Sequence, residues 1–136
     1  MSLQTGTPAP DFPLFSSDKE KVTLSELKGQ PVVLLFFPLA FTSVCTAELC
    51  SVRDSLDWYN NVEAKVFGIS VDSLQTLARF KEDQQLNFTL LSDFNKEASR
   101  AYGAIYEEFG FNMKGAPRRA ACVIDGEGLI RDAEAL

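Results

Sequence analysis

The sequence predicts a single α/β domain in which helices flank a mixed central sheet, preceded by an N-terminal β-hairpin. Short apolar runs at residues 32–37, 65–71 and 88–91 have the length of buried strands. Segments with helical spacing of apolar residues separate these runs, an alternation that is typical of parallel strands. With 136 residues, the chain has the size of one domain with its own core.

The first elements follow from local residue signals. Residues 9–24 alternate apolar, polar and apolar stretches, which predicts the hairpin, and a short helical turn follows. The strand at 32–37 stops at Pro38, because proline cannot donate to a strand ladder. Thr42 and Ser43 are favourable N-cap residues. They predict the start of a helix whose apolar residues recur at helical spacing: Leu49, Val52, Leu56 and Tyr59.

The remainder of the chain continues the alternation. Residues 73–85 predict an amphipathic helix that Ser73 caps, and residues 96–102 predict a shorter one. Residues 104–118 show no clean period, and we expect a long loop or a partly helical excursion there. Residues 119–125 predict a strand, which a Gly-Glu-Gly turn joins to a hairpin partner.

Composition excludes several classes of function. A net charge of −6 argues against nucleic acid or an anionic membrane as a partner. The absence of histidine excludes Cys–His dyads, Ser–His–Asp triads and histidine-ligated metals. Three cysteines form neither a disulfide framework nor a four-cysteine zinc site, so we expect no metal or other cofactor. The stretch MSLQTGTPAP lacks the charged start and hydrophobic segment of a signal peptide, which favours a cytoplasmic location.

Cys45 is the candidate nucleophile. It falls in or beside the first turn of the predicted central helix, where free N–H groups and the helix dipole favour an anion. We therefore expect the pKa of Cys45 to be lowered. Full ionisation of a free cysteine gains at most roughly thirty-fold in thiolate at neutral pH, so other groups must act on the substrate. The hydroxyl of Thr42 can donate to and accept from a bound oxygen.

The pattern Pro38-x-x-x-Thr42-x-x-Cys45 resembles the active-site signature of the peroxiredoxins, and the stretch FFPLAFTSVC most resembles their alkyl hydroperoxide reductase E group. The stretches APDF, LSELKG and LLSDF followed by AYG resemble the same family. The resemblance implies a thioredoxin-like fold, here a domain over residues 1–136 that lacks the usual C-terminal helix. It also implies a thiol peroxidase that reduces hydrogen peroxide or alkyl hydroperoxides and works as a homodimer. Thioredoxin, a glutaredoxin-like protein or a low-molecular-weight thiol would recycle it.

The resemblance also assigns roles around Cys45. Pro38 would shield the thiolate and Thr42 would bind the peroxide. Arg119, with Arg118 as its neighbouring competitor, would supply a permanent positive charge beside the reacting oxygens. Glu48 would hold that arginine in place. Residues 104–118 are either an ordinary surface loop or a segment that shapes substrate access through three side chains: Phe109, Phe111 and Met113.

The spacing Cys45-x₄-Cys50 resembles the bacterioferritin-comigratory type of peroxiredoxin, in which a second cysteine resolves the oxidised first one. On an intact helix, residues five apart lie roughly 8.5 Å apart at Cα and on faces about 140° apart. A disulfide needs less than about 7 Å, so this bond requires the first helical turn to unwind. A one-cysteine mechanism, with an outside thiol, is the alternative. Cys122, three residues after Arg119, is expected to fill the core on the opposite face of its strand.

Two other functions remain open from the sequence. A thioredoxin-like thiol–disulfide oxidoreductase would share the fold, but its Cys-x-x-Cys motif is absent. A non-catalytic redox sensor is the other alternative. Fast peroxide consumption with turnover by a thiol indicates the enzyme, whereas slow stoichiometric oxidation indicates the sensor.

Overall fold

The computed structural model describes residues 4–41, 43–61, 63–104 and 120–135, and at residues 43–46, 48, 134 and 135 it describes the backbone alone. The strands are β1 (Pro13–Ser16), β2 (Lys21–Thr23), β3 (Val32–Phe36), β4 (Lys65–Ser70), β5 (Thr89–Ser92), β6 (Ala120–Ile124) and β7 (Ile130–Ala135). The helices are α1 (Ser43–Asp54), α2 (Leu56–Asn61), α3 (Leu74–Asp83) and α4 (Glu97–Ala101), with a 3₁₀ turn at Leu24–Leu27. Among the described residues, no helix is long and apolar enough to cross a membrane.

The strands form one seven-stranded sheet in the order β2-β1-β5-β4-β3-β6-β7. The three strands β3, β4 and β5 are parallel to one another, and the outer strands are antiparallel to their neighbours. The antiparallel pairing of β1 with β2 confirms the predicted hairpin, and the whole arrangement confirms the predicted mixed sheet. Because β3, β4 and β5 run in one direction, their carboxyl ends meet at one edge of the sheet.

Each face of the sheet carries its own core. Along β3, Val32, Leu34 and Phe36 point to one face, whereas Val33 and, directly after the strand, Phe37 point to the other. The first face packs against the 3₁₀ turn and the α4 region, through residues such as Leu24, Ala98 and Tyr102. The second face packs against α1 and α3, through residues such as Leu49, Leu77 and Phe80. The alternation along β3 is what a strand covered on both sides requires.

The structure differs from the prediction in the central helix. The apolar spacing predicted one helix from Ser43 to Tyr59, but the chain forms two helices that meet at Ser55. The N–H of Ser55 is shared between the carbonyls of Ser51 and Val52, both at 3.1 Å, and the N–H of Trp58 donates to the carbonyl of Ser55 at 3.0 Å. The bonds that span three residues tighten the chain at Ser55 and separate α1 from α2, while Leu56 and Tyr59 of α2 pack against the same core as α1.

Candidate active site

The site is built on the loop from Phe37 to Phe41, which connects β3 to α1. The N–H of Phe37 still bonds to the carbonyl of Ile69 on β4, at 3.0 Å. Pro38 follows and is buried, so the chain leaves the sheet at the residue the sequence predicted. A Cβ added to Gly68 of β4 would lie 3.3 Å from the Phe37 ring and 2.8 Å from Leu90. Glycine at this position therefore leaves room for the aromatic ring that precedes the loop.

Asp72 fastens this loop to the end of β4. One carboxylate oxygen, Oδ2, accepts a hydrogen bond from the N–H of Ala40 at 2.8 Å and from the hydroxyl of Ser70 at 2.7 Å. The carbonyl of Asp72 in turn accepts from the hydroxyl of Ser92 at 2.6 Å. The loop, the end of β4 and the end of β5 are thus tied through a single residue. Sequence reasoning missed Asp72. An aspartate that follows a buried strand, at an edge where parallel carboxyl ends meet, is the signal that could have found it.

Phe41 closes the loop in an unusual conformation. Its φ of 67° lies in the left-handed region, which costs a residue with a side chain roughly 1 kcal/mol or more. The ring is half-exposed, and it packs edge-on against the fully buried ring of Phe80, with 5.1 Å between centroids. This contact and the bond from Ala40 to Asp72 hold the turn that leads into α1.

The backbone of Cys45 lies in the first turn of α1, as the sequence predicted, because the helix begins at Ser43. The first N–H groups of a helix have no partner within it and carry the positive end of its dipole. Leu49, four residues after Cys45, is buried against the sheet. The sequence therefore places a thiol where helix physics favours a thiolate.

Several predicted site residues lie outside the described residues. These are Thr42, Arg118 and Arg119, the side chains of Cys45 and Glu48, and the three residues expected to shape substrate access: Phe109, Phe111 and Met113. The described neighbour of Arg119 is Ala120, the first residue of β6, which pairs with Phe36, the last residue of β3. The start of β6 thus lies at the same end of the sheet as Pro38. The roles of the arginine, the threonine and the glutamate remain predictions.

Cys50 lies on α1 in a partly buried position and is a free thiol. Its Sγ donates a hydrogen bond to Oε1 of Gln84, at 3.6 Å. The helix is continuous through both Cys45 and Cys50. In this continuous helix the two Cα atoms are about 8.5 Å apart, beyond the reach of a disulfide.

Cys122 is a core residue, as predicted. It is fully buried on the sheet face opposite α1, and it pairs with Leu34 of β3. Burial raises the pKa of its thiol to about 11, and the charge of Asp132 adds to that effect. This raised pKa favours the protonated thiol at neutral pH, which makes Cys122 a poor candidate for the nucleophile.

Comparison with known protein families places the chain among enzymes of one chemistry. The family model described as the AhpC/TSA family matches residues 5–133. The chain is 38% identical over 130 residues to peroxiredoxin Bcp of Escherichia coli K12, which covers 94% of this chain and 83% of that protein. It is 36% identical over 129 residues to the chloroplastic peroxiredoxin Q of Oryza sativa subsp. japonica, which covers 95% of this chain and 58% of that protein.

Solved structures agree with the sequence relatives. The peroxidoxin BcpB of Mycobacterium tuberculosis superposes with a TM-score of 0.88 at 30% identity, covering 98% of this chain and 86% of that one. The bacterioferritin comigratory protein of Xanthomonas campestris, studied for its alkyl peroxide reduction activity, superposes with a TM-score of 0.88 at 26% identity. That match covers 97% of this chain and 87% of the Xanthomonas chain.

Proposed function

The chain belongs to the AhpC/TSA family and is a peroxiredoxin, and from this premise we propose that Cys45 is the thiol that reduces the peroxide. Enzymes of this kind are thiol-dependent peroxidases. The observation that carries the proposal is the position of Cys45 in the first turn of α1, directly after the loop that the buried Pro38 opens. A thiolate is favoured at that position by the free N–H groups of the helix start.

In the proposed reaction, the Cys45 thiolate attacks the distal oxygen of the peroxide. The S–O bond forms as the O–O bond breaks, and the leaving oxygen takes a proton to become water or an alcohol. Arg119, the Thr42 hydroxyl and backbone N–H groups stabilise the negative charge that develops on the leaving oxygen. Glu48 holds the arginine, and Pro38 keeps water from the sulfur. The pairing of Ala120 with Phe36 supports this assignment, because it brings the start of β6 to the end of β3.

We propose that the substrates are hydrogen peroxide and alkyl hydroperoxides. The half-exposed ring of Phe41 offers an apolar surface beside the loop, which suits an alkyl chain. The Xanthomonas relative, with its alkyl peroxide reduction activity, supports the same class. A cytoplasmic homodimer recycled by thioredoxin, a glutaredoxin-like protein or a small thiol completes the proposal.

Cys50 is the proposed resolving cysteine. After the first turns of α1 unwind, the Cys50 thiolate attacks the sulfur of the Cys45 sulfenic acid. The S–S bond forms, the S–O bond breaks, and the released hydroxide takes a proton to leave as water. The partly buried, free thiol of Cys50 on the same helix supports this role, and so does the kinship with Bcp and peroxiredoxin Q proteins.

Peroxide consumption by point variants tests the assignment. Cys45→Ser is expected to lose peroxidase turnover, because it removes the nucleophile. Arg119→Ala is expected to lose about a hundredfold in the rate constant with peroxide, the typical cost of one lost oxyanion donor. Arg118→Ala, one residue earlier, is the matched control and is expected to stay near the wild-type rate. Wild-type turnover by Cys45→Ser contradicts the proposal for the cysteine. If Arg119→Ala lowers activity and thermal stability to the same degree, that arginine is structural.

Intact mass after one equivalent of peroxide tests the resolving step. An internal disulfide lowers the mass by about 2 Da, whereas a stable sulfenic acid raises it by about 16 Da. The expected product is the disulfide, and Cys50→Ser is expected to stop at the sulfenic acid. A mass gain in the wild-type protein instead indicates the one-cysteine mechanism.

A further inference from the structure

We propose that contacts between α1 and the segment after α3 hold Cys50 away from Cys45, and that they set the rate of disulfide formation. We call these contacts the α1 latch. They join Cys50 and Arg53 of α1 to Gln84 and Asn87, which lie in the segment after α3. This inference rests on the proposed role of Cys50 as the resolving cysteine. The latch residues act as positioning residues, because they act through Cys50 and not on the peroxide.

Three hydrogen bonds make up the latch. Nη1 of Arg53 donates to the backbone carbonyl of Gln84 at 2.5 Å. Nδ2 of Asn87 donates to the backbone carbonyl of Arg53 at 3.2 Å. The Sγ of Cys50 donates to Oε1 of Gln84 at 3.6 Å. All three act within one helical turn of α1, and the bond from the guanidinium is charge-assisted and therefore the strongest of them.

The segment after α3 is held in place by hydrogen bonds to α3 itself. The N–H of Gln84 closes α3 by donating to the carbonyl of Phe80 at 3.0 Å. Gln85 follows in the left-handed conformation, with a φ of 53°, as at many helix ends. The N–H of Leu86 then donates back to Lys81 at 3.0 Å, and the Leu86 side chain is buried. The segment after α3 is thus hydrogen-bonded to the end of its own helix. We infer that α1 is the element that moves when the disulfide forms.

Formation of the disulfide is incompatible with the hydrogen bond from Cys50 to Gln84. Residues five apart on α1 must move from about 8.5 Å to less than about 7 Å at Cα, which requires the helix to unwind toward Cys50. The Cys50 sulfur then leaves the amide of Gln84 to attack Cys45. Arg53, in the last turn of α1, opposes this movement because its bonds to Gln84 and Asn87 hold the end of the helix that follows Cys50. The bond from Cys50 is therefore lost in the disulfide form, and the latch stabilises the dithiol form. Its strength slows the unwinding step and favours reduction of the disulfide.

The test removes the latch and follows the two chemical steps separately. Arg53→Met keeps the apolar stem but removes the guanidinium, and Gln84→Ala removes the amide that accepts from Cys50. Reduced protein is mixed with one equivalent of hydrogen peroxide, quenched with an alkylating reagent over time and weighed intact. We expect the double variant to form the disulfide about tenfold faster than wild type, while the rate of sulfenic acid formation is unchanged. Each single variant is expected to gain several-fold.

The redox potential of the Cys45–Cys50 dithiol–disulfide pair gives a second readout. A general loss of folding stability is not expected to produce the same change in this potential. A tenfold shift of the dithiol–disulfide equilibrium toward the disulfide corresponds to about 30 mV, so the potential of the double variant is expected to be more negative by that amount. Arg79→Ala is the matched control. It removes an exposed arginine of α3 that pairs with Asp83 at 2.9 Å, and it is expected to leave both quantities unchanged.

The outcomes separate the latch from the function on which it rests. If wild-type protein forms the disulfide but the latch variants form it at the wild-type rate or more slowly, the latch is overturned and the role of Cys50 stands. If wild-type protein forms no internal disulfide, the resolving role falls and the latch falls with it. Should the double variant fail to fold, Asn87→Ala removes an exposed side chain and one of the three bonds. It is expected to raise the disulfide rate about two- to threefold, and an unchanged rate in that variant overturns the latch.

Discussion

Replacement of Asp72 tests whether the loop before α1 must be fastened for catalysis. In Asp72→Ala, the N–H of Ala40 and the hydroxyl of Ser70 lose their shared acceptor. Hydrogen bonds to a charged group contribute about 1.5–3 kcal/mol each, and the half-buried position of Asp72 favours the lower value. The expected loss is therefore about 3 kcal/mol in the free energy of unfolding, or a fall of about 10 °C in Tm.

Activity is expected to fall more than stability alone explains. The bond from the N–H of Ala40 holds the loop that positions the start of α1, whereas the bond from Ser70 lies at the end of β4, so Asp72→Ala allows that loop to sample other conformations. The Ala40 bond accounts for about half of the 3 kcal/mol, and if this free energy is what keeps the loop in its productive conformation, the rate constant with peroxide falls about tenfold. Asp72→Asn keeps an oxygen acceptor at the same position and is expected to stay within a few-fold of wild type.

Asp93 provides the matched control. Its buried carboxylate accepts from the N–H of Ala98 at 3.1 Å and from that of Ser99 at 2.6 Å, so it also makes two bonds, but these hold the first turn of α4 and not the loop before α1. Asp93→Ala is expected to lose at least as much stability while it keeps the wild-type rate with peroxide below its Tm. Stopped-flow kinetics at a fixed interval below the Tm of each variant give the comparison. Equal loss of activity in Asp72→Ala and Asp93→Ala, or full activity in Asp72→Ala, refutes the positioning role.

Three further predictions concern residues away from the loop. Native Cys122 is expected to resist iodoacetamide at pH 8, because burial raises its pKa to about 11. Cys122→Ala is expected to keep full peroxidase activity and to lose about 1–2 kcal/mol in the free energy of unfolding, measured in urea. Tyr102→Phe removes a 2.7 Å hydrogen bond to a backbone carbonyl of the N-terminal segment and is expected to lose about 1 kcal/mol in the same assay. The hydrogen bond from the N–H of Leu129 holds the pKa of Asp125 below its ordinary value of 3.8. The ionised carboxylate therefore stabilises the fold above pH 3.8, and this stabilisation is lost as the pH falls through the lowered pKa. Asp125→Asn is therefore expected to lower the urea midpoint at pH 7 but to match wild type near pH 2, with Glu127→Gln of the same turn as the control; an equal gap at both pH values contradicts the assignment.

Features carried by neighbouring residues were predictable from the sequence. The strand predicted at 32–37 is observed at Val32–Phe36, and the buried Pro38 follows it. The predicted cap of Ser73 is observed, since its hydroxyl accepts from the N–H of Thr76. The backbone of Cys45 lies in the first turn of its helix, as predicted. In each case the signal is local, because proline, N-cap residues and apolar spacing act over a few residues.

Features that depend on distant residues were not predictable in this way. The bond between Asp72 and Ala40 joins residues 32 apart, and that between Arg53 and Gln84 joins residues 31 apart. The insertion of β5 between β1 and β4 likewise depends on pairing that no apolar period specifies. The break at Ser55 escaped for another reason, since the apolar positions keep their spacing across it. The sequence shows that Asp72 follows a strand, but only the fold shows that its carboxylate accepts from the N–H of Ala40.

The central sheet also limits which cross-links the chain can form. Cys50 packs with the core on the α1 side, whereas Cys122 is sealed into the opposite core, on a strand held between β3 and β7. A bond between these two sulfurs would require β6 to be torn from both neighbours. The sheet therefore separates Cys50 from Cys122 and prevents a disulfide between them in the folded protein. We therefore expect Cys122 to remain a thiol during the chemistry proposed for Cys45 and Cys50.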